Sequence, residues 1–115
     1  KARIRESQRK IALQRMMQDI PSATVVVTNP THLAVALRYR EAEDDAPVVV
    51  AKGAGYIAQR IRERAKEHQI PLVENKQVAR MLYDQVELGQ AIPVDLYQAV
   101  AEILALVYRA KGRSY

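Results

Sequence analysis

Apolar positions along this chain follow two rhythms, and the switches between them mark out its elements. Ile4, Ile11, Leu13, Met16, Met17 and Ile20 recur at mostly helical spacing with charges between them, so the pattern predicts a helical arm over residues 4–20 that Pro21 and Ser22 end. Two apolar, partly β-branched runs follow at 24–28 and 33–39, each suited to an interior position of a sheet covered by helices. A third strand is expected at 48–51. Helical rhythm returns over 56–67, where Ile57, Ile61 and Ala65 form the inward stripe and Arg60, Arg62, Glu63, Arg64 and Lys66 take the remainder. After Pro71 ends that helix, 70–73 reads as a short fourth strand. Asn75 is the expected N-cap of a helix over 76–86 with Val78, Leu82 and Val86 inward and Gly89 as its stop. Pro93 and Gly112 bracket a last helix whose apolar stripe is Leu96, Val100, Ile103, Leu104 and Val107.

Strands interleaved with helices predict an α/β fold: a single small domain with a central, mostly four-stranded sheet covered by about four helices, preceded by a basic helical arm. A length of 115 residues suits one core, and the absence of Trp and Phe makes that core aliphatic. Without cysteine there is no disulfide framework and no thiolate metal site, and the two histidines, His32 and His68, mark no metal site. The longest nearly apolar stretch, residues 103–108, is far short of the roughly 20 residues that cross a bilayer. The charged start does not read as a secretory signal, and the lack of an initiator Met suggests a piece of a longer protein.

Net charge is +5, and it is concentrated at one end. Residues 1–18 hold six basic side chains and one acid, leaving twelve of each sign in the rest. Such an arm suits an anionic lipid surface or non-specific nucleic-acid contact, each basic group near a membrane contributing about 1 kcal/mol. A merely solvated helix explains it as well. The acidic segment 41–45 is expected to face water, a binding role requiring a basic partner. Lys52-Gly53-Ala54-Gly55 reads as a steric turn between strand and helix, too short for a phosphate-binding fingerprint, and no cofactor is expected.

The chemistry is concentrated in Asn29-Pro30-Thr31-His32, held between the first two strands. Asn-Pro is an ordinary turn initiator, and that reading suffices for the dipeptide alone. Proline, however, lacks the N–H through which the following residue attacks an Asn side chain. The reverse attack stays open: the side-chain nitrogen of Asn29 closes a succinimide on its own main-chain carbonyl and expels the nitrogen of Pro30. His32 is placed to shuttle the proton or to act as a hydrogen-bonded turn histidine, and Thr31 to donate a hydrogen bond or favour strand geometry. His68, near a helix end, reads as a favourable cation there.

Residues 25–37, Val-Val-Val-Thr-Asn-Pro-Thr-His-Leu-Ala-Val-Ala-Leu, resemble the autocleavage segment of the export switch family of bacterial type III secretion (FlhB/YscU-like), and the flagellar branch is the most similar. Ala46–Gly55 resembles the family's next strand and turn, and Gly89–Pro93 its last loop, so the likeness keeps order and spacing from about Ala23 to Arg109. It implies a linker over 1–22 that follows a membrane domain and an autocleaving switch domain over 23–115, on the cytoplasmic face of the bacterial inner membrane. The catalytic residues it implies are Asn29, Pro30, Thr31 and His32, each chain reacting once rather than turning over substrate. Implied partners are other export apparatus components, export substrates and the hook-length control protein, with an anionic membrane surface for the arm and no nucleic acid. Cleavage would switch export from rod and hook to filament subunits. An injectisome switch domain, or a basic-armed nucleic-acid-binding domain, are the alternatives.

Overall fold

The computed structural model describes residues 2–30 and 32–112, with side chains from residue 5 onward. In chain order the elements are α1 (Ala2–Asp19), a 3-10 turn (Ile20–Ser22), β1 (Val25–Asn29), β2 (Leu33–Arg38), β3 (Val48–Ala54), α2 (Tyr56–Glu67), β4 (Leu72–Glu74), α3 (Lys76–Gln85), a second 3-10 turn (Val94–Leu96) and α4 (Tyr97–Ala110). The sheet order is β3-β2-β1-β4. β2 runs antiparallel to both β1 and β3, while β4 lies parallel to β1. The two most apolar runs occupy the centre, where both faces are covered.

Alternation along the strands divides the core in two. Val25, Val27, Leu33, Val35, Leu37 and Val49 face the apolar stripes of α3 and α4. Val26, Ala34, Ala36, Val50 and Ala51 face α2, Ile20 and the end of α1. A bulge opposite Ala36 and Leu37 leaves Val50 unpaired, which puts Val50 and Ala51 on the same side. Full burial of Leu33, Val35 and Leu37 stabilises β2 in the sheet by about 1.5–3 kcal/mol each.

The α2 face is built from small residues, and β3 shows why. A Cβ on Gly53 would lie 2.8 Å from Ile57 Cβ, so the helix packs against the strand where a side chain would otherwise stand. This corrects the expected turn at 52–55: β3 continues through Lys52, Gly53 and Ala54, and only Gly55 turns the chain into α2. Lys52 points to the other face, where its Nζ donates to the carbonyls of Tyr83 and Val86 at 2.9 Å each and caps the end of α3.

Other expectations shift by a residue or two. In α2 it is Ala58 that is fully buried beside Ile61 and Ala65, with Ile57 half-buried, because the helix approaches so closely. Asn75 caps α3 as expected, its side chain accepting from Val78 N at 3.0 Å. That helix stops at an extended Val86, and Gly89 (φ +83°) serves the following turn, where its N–H donates to Val49 O.

Two charged segments also differ from expectation. Asp44 turns inward from the acidic segment: its side chain is 7% exposed and pairs with Arg38 at 2.9 Å. The arm, by contrast, docks through its last turns, with Met16 and Ile20 buried, while residues 5–12 are exposed. Arg64 Nε donates to Met17 O at 3.3 Å and ties α1 to α2.

Candidate functional site

β1 delivers Asn29 to the end of the sheet, and β2 leaves from Leu33, its register partner. The pre-proline restriction keeps Asn29 extended, so the strand runs to the edge of the turn instead of fraying before it. Across 29–32 the backbone N–H of His32 donates to the carbonyl of Asn29 at 2.9 Å. That carbonyl carries the bond to Pro30.

Two further main-chain bonds hold the flanks. The N–H of Asn75, at the start of α3, donates to Thr28 O at 2.9 Å, continuing the parallel β1–β4 register that pairs Thr28 with Glu74. On the other side the N–H of Gly55 donates to His32 O at 2.9 Å. β1, β2, the β3–α2 junction and the start of α3 therefore converge on four residues. Thr28, next to Asn29, is buried at 6% exposure, so the last residue before the site is packed on a strand with little freedom.

Of the four residues singled out in the sequence, the structure describes three. Asn29 and Pro30 are half-buried and His32 is exposed, while Thr31 lies outside the described residues. Among the described residues neither the Asn29 amide nor the His32 ring has a hydrogen-bond partner. An asparagine amide held on a rigid strand without a fixed partner is free to rotate toward its own backbone. The order of the turn is imposed by the main chain and leaves the Asn29 side chain unspent.

Gly55 and Asn75 meet the turn through backbone N–H groups, so residue type at those positions carried little signal of the contact. The Gly-x-Gly spelling of 53–55 was the available clue for one of them. No group of three or more His, Asp or Glu is placed to hold a metal among the described residues. An open groove of about 450 Å³ between α4 and the β2–β3 loop is lined by Tyr39, Pro47, Tyr97 and Leu104, among others, but by none of Asn29, Pro30 and His32.

The profile of the FlhB HrpN YscU SpaS family matches residues 1–107. Among curated relatives, the flagellar biosynthetic protein FlhB of Bacillus subtilis is 51% identical over 115 residues, all of this chain and 32% of its own length. FlhB of Yersinia enterocolitica is 57% identical over 111 residues, 96% of this chain and 29% of its own. The chain thus spans about a third of the length of the relatives it matches. Among solved structures, the cytoplasmic domain of FlhB from Shewanella putrefaciens superposes with TM-score 0.82 at 42% identity, covering 89% of this chain and 81% of that one. A mutated EscU C-terminal domain gives TM-score 0.77 at 33% identity, covering 80% and 92%.

Proposed function

Because the chain belongs to the FlhB HrpN YscU SpaS family, we propose that it is the cytoplasmic switch domain of a flagellar type III export protein, and that it cuts its own backbone between Asn29 and Pro30. The observation that carries this reading is the turn bond: the carbonyl to be attacked already accepts the His32 N–H at 2.9 Å.

The reaction follows from that geometry. Asn29 Nδ2 adds to the Asn29 carbonyl carbon, and the oxygen takes on negative charge while still hydrogen-bonded to His32. The C–N bond to Pro30 then breaks, Nδ2 gives up a proton, and the proline nitrogen gains one. The products are residues 1–29 ending in a succinimide, which water later opens, and residues 30–115 starting with a secondary amine. A prepositioned donor at a developing oxyanion is worth about 2.7–4 kcal/mol where one has been removed from an enzyme. Strand pairing on both sides supplies the positioning that would otherwise be lost as entropy.

His32 contributes its backbone N–H, and its ring is exposed. If the ring delivers the proton to Pro30, His32→Ala slows cleavage; a turn role alone leaves the rate flat. The event occurs once per chain and consumes no external substrate. After the cut, β2 stays in place because Leu33 to Leu37 remain buried between both layers. What changes is the exposed end: a new terminal amine at Pro30 and a freed turn, which redraws a surface read by other export components, export substrates and the hook-length control protein. The change in that surface is the proposed switch from rod and hook to filament subunits. Residues 1–22 serve as the linker from a membrane domain and 23–115 as the switch, with the exposed basic residues of α1 lying against anionic lipid at the cytoplasmic face of the inner membrane. No helix among the described residues is long and apolar enough to cross a membrane itself.

Denaturing intact-mass measurement tests the chemistry. Freshly synthesised chain should resolve into two fragments meeting at Asn29 and Pro30, and a chain that stays whole on prolonged incubation defeats the reading. Secretion of hook and filament subunits by cells carrying Asn29→Ala in the full-length protein tests the switch.

A further inference from the structure

We infer that Gly55 is a positioning residue for the cleavage, an inference that rests on the autocleavage reading above. Its N–H donates to His32 O at 2.9 Å, and the N–H of the same His32 donates to the Asn29 carbonyl at 2.9 Å. The two bonds form a relay through one residue. His32 is fixed from outside the hairpin by the β3–α2 junction, and it passes that order to the oxygen on which charge develops.

Four observations support the assignment. His32 is exposed, and among the described residues its ring has no hydrogen-bond partner, so packing does not hold it and the backbone must. Gly55 has φ +59° and ψ −124°, a conformation that L side chains rarely adopt and glycine adopts without strain. Nothing lies within 4 Å of a Cβ built there, so glycine is required by the direction of the N–H and not by crowding. Gly53, two residues earlier, is the opposite case, glycine because Ile57 fills its space. A sharp junction at 55 also turns β3 away after Ala54, the register partner of Leu33, so the last strand-paired residue on β3 lies beside the first residue of β2.

Gly55 acts through His32 and touches no reacting atom. Its loss should therefore slow the reaction without stopping it. Removal of one aligned donor costs about 10²–10³ in rate at a true oxyanion hole, and an indirect loss is expected to cost about tenfold.

The test uses the whole chain made by cell-free translation, with cleavage followed over time on denaturing gels and by mass. Gly55→Ala should cleave about tenfold more slowly than the unmodified chain. Gly112→Ala, which also replaces an uncrowded positive-φ glycine but at the far end of α4, should cleave at the unmodified rate. A glycolic acid ester at position 55 replaces the N–H with an oxygen that cannot donate and adds no side chain, so it should be slowed even if the alanine variant folds poorly. In the uncleaved Asn29→Ala background, Gly55→Ala should speed hydrogen exchange at the His32 amide while the amides of Val26 and Ala36 stay protected, a readout that general destabilisation would not produce. Equal cleavage rates for the ester and unmodified chains, with Asn29→Ala intact, overturn the role of Gly55 and leave autocleavage standing. An unmodified chain that never cleaves overturns both.

Discussion

β2 is entered and left through two connections that differ in how far side chains help to order them. The turn at 29–32 is held by main-chain bonds, from His32 within it and from Gly55 and Asn75 at its flanks. The loop at 39–47 has main-chain bonds of its own, the N–H groups of Glu43 and Asp44 both donating to Arg40 O at 2.9 and 2.7 Å, but it adds side chains to them. Arg38 donates twice to the carboxylate of Asp44, at 3.2 and 2.9 Å, Arg40 N donates to the same group at 2.9 Å, and Arg40 pairs with Glu43. Side chains spent on structure are unavailable for chemistry. On the proposed chemistry the asparagine is itself the reactant, so its segment has to be ordered by main-chain groups and by other elements, as the 29–32 turn is.

The largest expected effect falls on the turn. Asn29→Ala removes the nucleophile, so cleavage should drop below detection by mass while the fold and its Tm are retained, because a half-buried residue at a strand end is lost. Pro30→Ala comes next. It restores the N–H at position 30, which opens the route by which the main chain attacks the Asn29 side chain. Scission should fall, and a deamidated chain, detected by its small mass gain, should accumulate in its place. If Pro30→Ala cleaves as fast as the unmodified chain without deamidating, the role of proline as leaving group is wrong.

These expectations were legible in the sequence because they concern local chemistry. So were the helices, the Asn75 cap and the stripe of α4, where period and cap residue act within a few positions. What was not legible is long-range. The parallel pairing of β1 with β4 brings Asn75 to Thr28 across 47 residues of chain, and nothing near either residue encodes it. Glycines at 53 and 55 suggested one loose turn, whereas one lies in a strand under Ile57 and the other sets the direction of an N–H. The acids at 41–45 read as solvated because their spacing cannot reveal which carboxylate will meet Arg38.

Gly53→Ala probes the boundary between the two connections. The added methyl must displace Ile57 or the start of α2, at a cost of about 1–3 kcal/mol. Because that shift moves the β3–α2 junction, it should loosen the 29–32 turn and slow cleavage while leaving the 39–47 loop protected from hydrogen exchange. Loosening of both connections together would show that they are not independent.

The smallest effect is expected at the loop. Asp44→Asn keeps the shape but loses the ion pair, a loss on the order of 1 kcal/mol, or several degrees in Tm for a domain of this size, with the cleavage rate unchanged. The Arg38 guanidinium, and then the Arg40 N–H, hold the Asp44 carboxyl below its usual value of 3.8. A lowered carboxylate pKa stabilises the fold fully above that usual value and loses its contribution as pH falls through the lower, folded value. Amides of residues 40–44 should therefore lose protection below about pH 4, an effect that Asp44→Asn abolishes. The main-chain bonds of the 29–32 turn carry no titrating group and should not share that loss.

The most direct test of the central claim is the mass of the fragment ending at Asn29, taken at the earliest time after synthesis. Attack by the asparagine side chain predicts that this fragment appears first as the cyclic imide, one water lighter than the free acid, and gains that water later. A fragment that carries the full water from its first appearance, or a chain that remains unbroken, would contradict it.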